Sequence, residues 1–370
     1  MSDERPHRFY DNRQKYLGFV TTTNEKWTIA QRVERELAHI TPAPPALRVF
    51  DAGVGDGVVL ANVLRGIHER FPHVPVQITG KEISVEDLRM ALDKVPDRLV
   101  EHPPTVFVFT NLLYREAPDL APAKGGEMAW MDVALEGTSS MSFSEQLRAL
   151  DSDLVESWKV SSSTSGNPVY AHPAALVLYR ADHRFMLDDV IPRQGERAEG
   201  YDLMIVSQPW RARTDAATKV RNILKPLVEK LRPGGRMIVV QSVGNDPGEA
   251  IIRGVWPEGE ELFPIDRHKL VRELERALGE DAADYELAVP NDAEALVSFR
   301  MHTLPEEIGP SIGTSTLHAA WNAATYVAQI DEGRLMELDG DDHIRRTADV
   351  LQEYGALWFN DEAFVVARKR

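Results

Sequence analysis

The stretch VFDAGVGDGVVLANVL, Val49 to Leu64, sets the narrowest limits on what this chain can fold into. A short apolar run ends in Asp51, glycines follow at every second position (Gly53, Gly55, Gly57), and a second apolar run begins at Val58. Glycine admits positive φ and lets a backbone approach a ligand with no Cβ between them. The spacing therefore predicts a buried strand over Leu47 to Phe50, a tight turn, and a helix over Val58 to Arg70.

The same rhythm repeats. A helix with Trp27, Ile29, Val33 and Leu37 near the 3.6-residue period spans Lys26 to Ile40, and TPAPPA ends it because proline cannot continue a helix. A strand over Val76 to Thr79 leads to Gly80, Lys81 and Glu82, a helix covers Val85 to Val95, and TVFVFT (Thr105 to Thr110) is a third strand. Strand–helix–strand–helix–strand is the signature of a parallel sheet with helices on its faces.

Between residues 115 and 200 the rhythm stops. This segment holds GGEMAW, the Ser/Thr-rich VSSSTSGNP and one strand-like run, AALVLYRADHRFML. Structureless loops of such length are uncommon in compact domains, so a substrate subdomain is expected here. The sheet resumes at YDLMIVSQPW, followed by an amphipathic helix that Pro226 bends or starts, the turn RPGG and the strand RMIVVQS. A helix near His268 to Leu278 precedes two strand candidates, YELAV and ALVSFRM. A helical insertion runs from Leu304 to Gly355, and the chain closes on a strand at Ala363 to Ala367. The expected division is an N-terminal arm and helix (1–45, a candidate lid), sheet domain (46–114), first insertion (115–200), sheet domain (201–303), helical insertion (304–355) and a last strand (356–370).

Composition excludes several functions. The formal charge is −16, from 58 acidic against 42 basic residues, which disfavours a protein built to grip nucleic acid phosphates. There is no cysteine, hence no disulfide, thiolate nucleophile or cysteine-ligated metal. The polar start MSDERPHRFYDNRQ lacks a signal core, and no apolar run approaches the ~20 residues of a membrane helix. A cytoplasmic protein is expected, with a homo-oligomer left open.

The glycine loop discriminates among ligands. A dinucleotide fingerprint needs G-x-G-x-x-G, and after Gly53 and Gly55 the third position is Val58; the Gly-Lys-Ser/Thr end of a phosphate-binding P-loop is absent. Asp51 at the strand tip would oppose a pyrophosphate but suits a cofactor carrying an ammonium and a sulfonium. Asp51-x-Gly53-x-Gly55-x-Gly57 resembles motif I of the class I S-adenosylmethionine-dependent methyltransferases. Further matches follow in order: Glu82 at the second strand tip, Thr110, Asn111 and Leu112 beyond the third, Ser207-Gln208-Pro209-Trp210 after the fourth, and LRPGGRMIVV before the fifth. The resemblance spans about residues 47–245 and the last strand. It implies a Rossmann-like, doubly wound α/β fold with a mainly parallel seven-stranded sheet and S-adenosyl-L-methionine as cofactor. It also implies that Glu82 binds the ribose hydroxyls and that Asn111 lies by the adenine. The residues alone leave alternatives: a structural tight turn at the glycines, a solvated carboxylate at Glu82, and a turn-forming asparagine at Asn111.

Methyl transfer is an in-line displacement in which the protein aligns and desolvates the nucleophile. Ser207-Gln208-Pro209-Trp210 is similar to the Asn/Asp/Ser-Pro-Pro-aromatic motif of amino-group methyltransferases, in which an oxygen accepts amino hydrogens and the ring stacks on a planar substrate. Gln208 stands where that motif has its first proline, and Trp210 could equally pack beneath an insertion. The leading expectation is transfer to a small soluble acceptor, nitrogen ahead of sulfur or oxygen. The alternatives are an amino-group methyltransferase acting on nucleic acid or a protein side chain, and a cofactor-binding protein without catalysis. DGDDH (Asp339 to His343) sits where a helix begins and reads as an N-terminal cap ahead of a metal loop. His172 and His183 are candidate bases, and Trp27 with Tyr16 and Phe19 a candidate lid.

Overall fold

The computed structural model describes residues 13–123, 125, 127–163, 168–196, 199–302 and 312–370. The polar arm at 1–12, part of the Ser/Thr-rich stretch (164–167) and the start of the second insertion (304–311) lie outside the described residues. The strands are β1 (Leu47–Asp51), β2 (Val76–Lys81), β3 (Thr105–Thr110), β4 (Ala129–Leu135), β5 (Val160–Ser162) and β6 (Pro168–Tyr170). They continue with β7 (Ala174–Arg180), β8 (Tyr201–Ser207), β9 (Leu231–Ser242), β10 (Tyr285–Glu286), β11 (Leu296–Arg300) and β12 (Trp358–Arg368).

One sheet runs in the order β10-β12-β9-β8-β1-β2-β3-β7-β4, with β11 also paired to β12. The five strands from β3 to β9 are mutually parallel, and β12 is antiparallel to β9. This is the doubly wound α/β architecture that the alternating sequence predicts, but the sheet is ten-stranded, not seven-stranded. The extra strands come from the segments without clear rhythm. β4 and β7 of the first insertion extend the edge at β3, β7 antiparallel to β3 and β4 parallel to β7. Among the described residues that insertion therefore holds four strands rather than one, and two of them belong to the main sheet.

Alternation within each strand sends neighbours to opposite faces. Val49, Leu203 and Ile238 pack under the helices Glu25–Leu37 and Val58–Arg70, while Phe50, Met204 and Val239 meet Leu224, Leu227 and Leu270 on the other side. A third cluster lies beside the sheet, where Phe19 of the helix Arg13–Thr22 meets Phe299, Phe359 and the second insertion. The helix expected over Val85 to Val95 is two: Val85–Leu92, capped by Ser84, and Val95–Glu101, with Pro96 in its first turn where a missing N–H costs nothing. After β8 the helix Ala216–Lys219 widens into a π turn over Val220–Leu224 before continuing as Lys225–Val228. Pro226 has no N–H for the usual ladder, so the helix widens just ahead of it instead of breaking.

Candidate active site

The chain leaves β1 in one direction, through β2 and β3, and returns on the other side of β1 as β8 and then β9. The order reverses between β1 and β8, and in open α/β sheets ligands bind outside the carboxyl ends of the strands at such a point. Asp51 ends β1 and Ser207 ends β8, so both conspicuous motifs flank this crevice.

The glycine loop is shaped by different needs at each position. Gly55 and Gly57 have φ of +55° and +78°. A Cβ on Gly57 would lie 2.8 Å from the Ala91 Cα, so this residue lets the loop pack on the helix Val85–Leu92. Gly53 needs neither: its φ lies outside the left-handed range and a Cβ there would meet nothing within 4 Å. Asp56 Oδ1 accepts from the Val58 amide (3.1 Å), starting the helix that Gly57 itself cannot cap.

Two carboxylates lie close by. Asp51 Oδ1 accepts from the Gly53 amide at 3.1 Å. Glu82 takes the Gly55 amide on Oε2 and the Ser84 amide on Oε1, both at 2.8 Å, so it also ties the first strand tip to the second. Burial pushes Asp51 up to about 6, with Glu82 adding to the rise and the Gly53 bond and Lys26 opposing it. Burial likewise raises Glu82.

The first insertion closes one side. Asn111 Oδ1 accepts from Ala174 N (2.8 Å) and its Nδ2 donates to His172 O (2.9 Å), binding the end of β3 to the start of β7. Thr110 Oγ1 donates to Ala174 O (2.8 Å), and Leu112 is wholly buried in the core. The side chains of Thr110, Asn111 and Leu112 thus serve the fold, and the Asn111 and Leu112 N–H groups also donate within it, to Ala174 O and Thr110 Oγ1. Trp158, which is buried, donates its indole N–H to Glu82 O at 2.8 Å. Tyr114 stacks over the Lys81 ammonium (4.5 Å to the ring centroid) and donates to Pro209 O at 3.2 Å. Sequence reasoning passed over Trp158 and Tyr114, because each lies in the irregular insertion and gains meaning only from the strand ends it reaches.

On the other side Gln208 adopts φ +46° and its N–H donates to Val240 O at 2.9 Å. Proline fits neither condition, because its φ is held near −65° and it has no N–H. A proline at position 208 therefore would not suit this loop. The Gln208 amide donates to Asp361 Oδ2 (3.0 Å) and Glu25 Oε1 (3.4 Å) and accepts from Ser242 Oγ (3.2 Å). Asp361 is fully buried with Oδ1 lacking a hydrogen-bond partner among the described residues, and burial, reinforced by Glu25, raises its pKa well above its ordinary value. Trp210 donates to Gln241 Oε1 at 3.2 Å and lies 5.3 Å from the Lys219 ammonium. Between these groups lies a narrow cleft of about 10 Å³, the room one water needs, lined by Gln208, Trp210, Lys219, Gln241, Ser242 and Phe263 among others.

The other candidates divide. Tyr16 reaches the glycine loop, where its Oη accepts from Asp56 N at 3.4 Å, and the Tyr326 ring of the second insertion lies tilted beside it, centroids 5.9 Å apart. Phe19 joins the lateral cluster, while Trp27 is 53% exposed and takes no part in a cover. His183 pairs with Asp182 beyond the end of β7. Because β7 is antiparallel to β3, that end lies across the sheet from the crevice, which removes His183 as a base. His172 precedes β7 on the crevice side but is exposed. DGDDH begins the helix Asp342–Tyr354, yet Asp341 makes no capping bond, and the His343 ring lies tilted beside Trp321, centroids 4.9 Å apart. Among the described residues no three His, Cys, Asp or Glu gather as a metal site, and no helix is long and apolar enough to cross a membrane.

No family model and no curated protein matches the chain. Similar solved structures include a geranyl diphosphate methyltransferase in complex with SAM (12% identity, 92% of this chain and 85% of that chain, TM-score 0.31). Another is the plantazolicin methyltransferase BpumL in complex with SAH (9%, 100% and 92%, 0.33). A third is the rRNA methyltransferase aviRa from Streptomyces viridochromogenes (16%, 57% and 72%, 0.25).

Proposed function

We propose that the protein transfers a methyl group from S-adenosylmethionine to a small acceptor, through nitrogen. The observation that carries this reading is the pair Asp51 and Glu82, two buried carboxylates at adjacent strand tips beside a glycine loop at the switch point. Burial raises the proton affinity of both, and Glu82 adds to the rise at Asp51, so the site favours a ligand bearing positive charge and disfavours a pyrophosphate. Gly53 is the place for close approach, since its missing Cβ faces open space. The cofactor would supply the methyl as a sulfonium substituent. The chain's part is then to hold cofactor and acceptor in line and exclude water. Gln208 Oε1, with one lone pair on the Ser242 hydroxyl, has a second for an amino hydrogen, and Trp210 offers a half-buried face to the acceptor.

A small acceptor is favoured over a nucleic acid by the cations near Trp210. Lys219 is buried and Arg213 is bonded to the Ala328 and Gln329 carbonyls, an arrangement unlike the open basic face that phosphates require. The test is calorimetric titration of S-adenosylmethionine, S-adenosylhomocysteine and NAD into the protein and its Asp51→Asn and Glu82→Gln variants. Binding of the first two, weakened in both variants, supports the reading; NAD binding, or none, refutes it. Methyl transfer to an amine acceptor would separate an enzyme from a protein that only holds the cofactor.

A further inference from the structure

The cleft beside the acceptor loop has walls of unlike character. Gln208 and Ser242 line it, backed by the Asp361 and Glu25 carboxyl groups. Lys219, only 1% exposed, lines it too. Its ammonium donates to Ala212 O at 3.0 Å and lies against the Trp210 ring. Burial lowers its pKa to about 8, and the carboxylates acting on it most are Glu362 and Asp215. Glu362 is already bonded to Arg267 and Gln241, each at 2.8 Å, and Asp215 caps the helix that carries Lys219. Among the described residues no carboxylate forms an ion pair with Lys219, although an ammonium has three protons to give. A buried cation without a counter-ion is costly unless something supplies one. Here that cation lines a cleft.

Resting on the reading of this site as a methyltransferase, we infer that Lys219 selects the acceptor by binding a carboxylate on it, while the acceptor's amino group meets Gln208 and its apolar body lies on Trp210 and Phe263. The acceptor is then an amine that also carries an acid group. In the transfer, the neutral amine's lone pair forms the new C–N bond as the S–CH3 bond breaks. The departing electron pair stays on sulfur, and one proton of the resulting ammonium is lost to solvent. Lys219 keeps its protons throughout and acts as a specificity residue.

The experiment uses the full chain, with and without saturating S-adenosylhomocysteine, titrated with benzylamine, benzoate, 4-(aminomethyl)benzoate and phenyl phosphate. Wild type, Lys219→Met, Lys219→Gln and Lys219→Arg are compared. Wild type is expected to bind 4-(aminomethyl)benzoate at least tenfold more tightly than benzylamine. Lys219→Met and Lys219→Gln should abolish that preference, and Lys219→Arg should restore part of it. Equal weakening of every probe in the variants would mean that Lys219 only props the loop through Ala212, and would overturn the inference. So would a wild type indifferent to the carboxylate, or one that prefers phenyl phosphate. The wild-type preference is read without any variant, so a variant that misfolds does not obscure it. Failure of S-adenosylhomocysteine to bind would instead refute the methyltransferase reading, and the benzoate comparison on the free protein would still judge Lys219.

Discussion

The Gln208 side-chain amide donates to Asp361 Oδ2 at 3.0 Å, joining the loop after the fourth parallel strand to the antiparallel strand that closes the sheet. The bond explains both an irregular motif and a buried acid. Replacing Gln208 with leucine removes the donor and leaves Asp361 buried, at a cost of about 1–3 kcal/mol. Gln208→Pro, which would complete the two-proline motif, should cost more, about 3 kcal/mol or above, because φ +46° and the bond to Val240 O are both lost. Urea denaturation should rank wild type above Gln208→Leu and Gln208→Leu above Gln208→Pro. Equal stability of wild type and Gln208→Pro would contradict the geometry.

The glycines should separate by function. Gly57→Ala forces alanine to φ +78° against the Ala91 backbone and should destabilise the fold by at least ~2 kcal/mol. Gly53→Ala meets no atom of the protein and should leave stability within ~0.5 kcal/mol, yet weaken S-adenosylhomocysteine binding tenfold or more. Thermal unfolding and calorimetry on the same two variants check this. A stable, tight-binding Gly53→Ala would place the cofactor elsewhere.

Cofactor binding should depend on pH through Asp51. With its pKa raised to about 6 by burial, Asp51 is protonated below that value and offers no charge to a cationic ligand. Affinity for S-adenosylmethionine should therefore fall as pH drops from 7 to 5, with proton release on binding near pH 6, and Asp51→Asn should flatten the profile. Stability runs the other way. The folded state holds this proton more tightly than the unfolded chain, so Asp51's contribution declines as pH rises from about 4 through 6. Calorimetry in buffers of different ionisation enthalpy counts the protons.

The second insertion reaches the loop after β8 through Gln329, whose Oε1 accepts from Ala212 N at 2.9 Å. Gln329→Leu should cost about 1 kcal/mol or less overall. It should raise the acceptor KM several-fold while leaving the Kd for S-adenosylhomocysteine unchanged. A change in cofactor affinity instead would mean that the insertion acts on the glycine loop through Tyr326 and Tyr16.

What could be read directly was whatever neighbours along the chain determine. The apolar run into Asp51, the alternating glycines and the helix from Val58 are local, because steric limits on φ and the 3.6-residue period act over a few residues. The strand–helix alternation likewise marked the doubly wound sheet, since parallel strands must be joined by crossovers. β4 escaped notice because its sequence, AWMDVAL, follows a glycine-rich stretch and becomes a strand by pairing with β7.

The tertiary structure settled which of those local features meet. Asn111 looked like a ligand contact from its place after β3, but the backbone of the first insertion, more than sixty residues away, takes both ends of its amide. His183 followed a recognisable strand, and only that strand's antiparallel pairing shows that it leaves on the far side of the sheet. Gln208 carried no sign of its left-handed backbone, which depends on Val240, Ser242 and Asp361 being brought beside it. Local sequence specifies dihedral preferences and periodicity. Burial, hydrogen-bond partners and the pKa shifts that follow come from pairings between distant segments, which exist only once the sheet has formed.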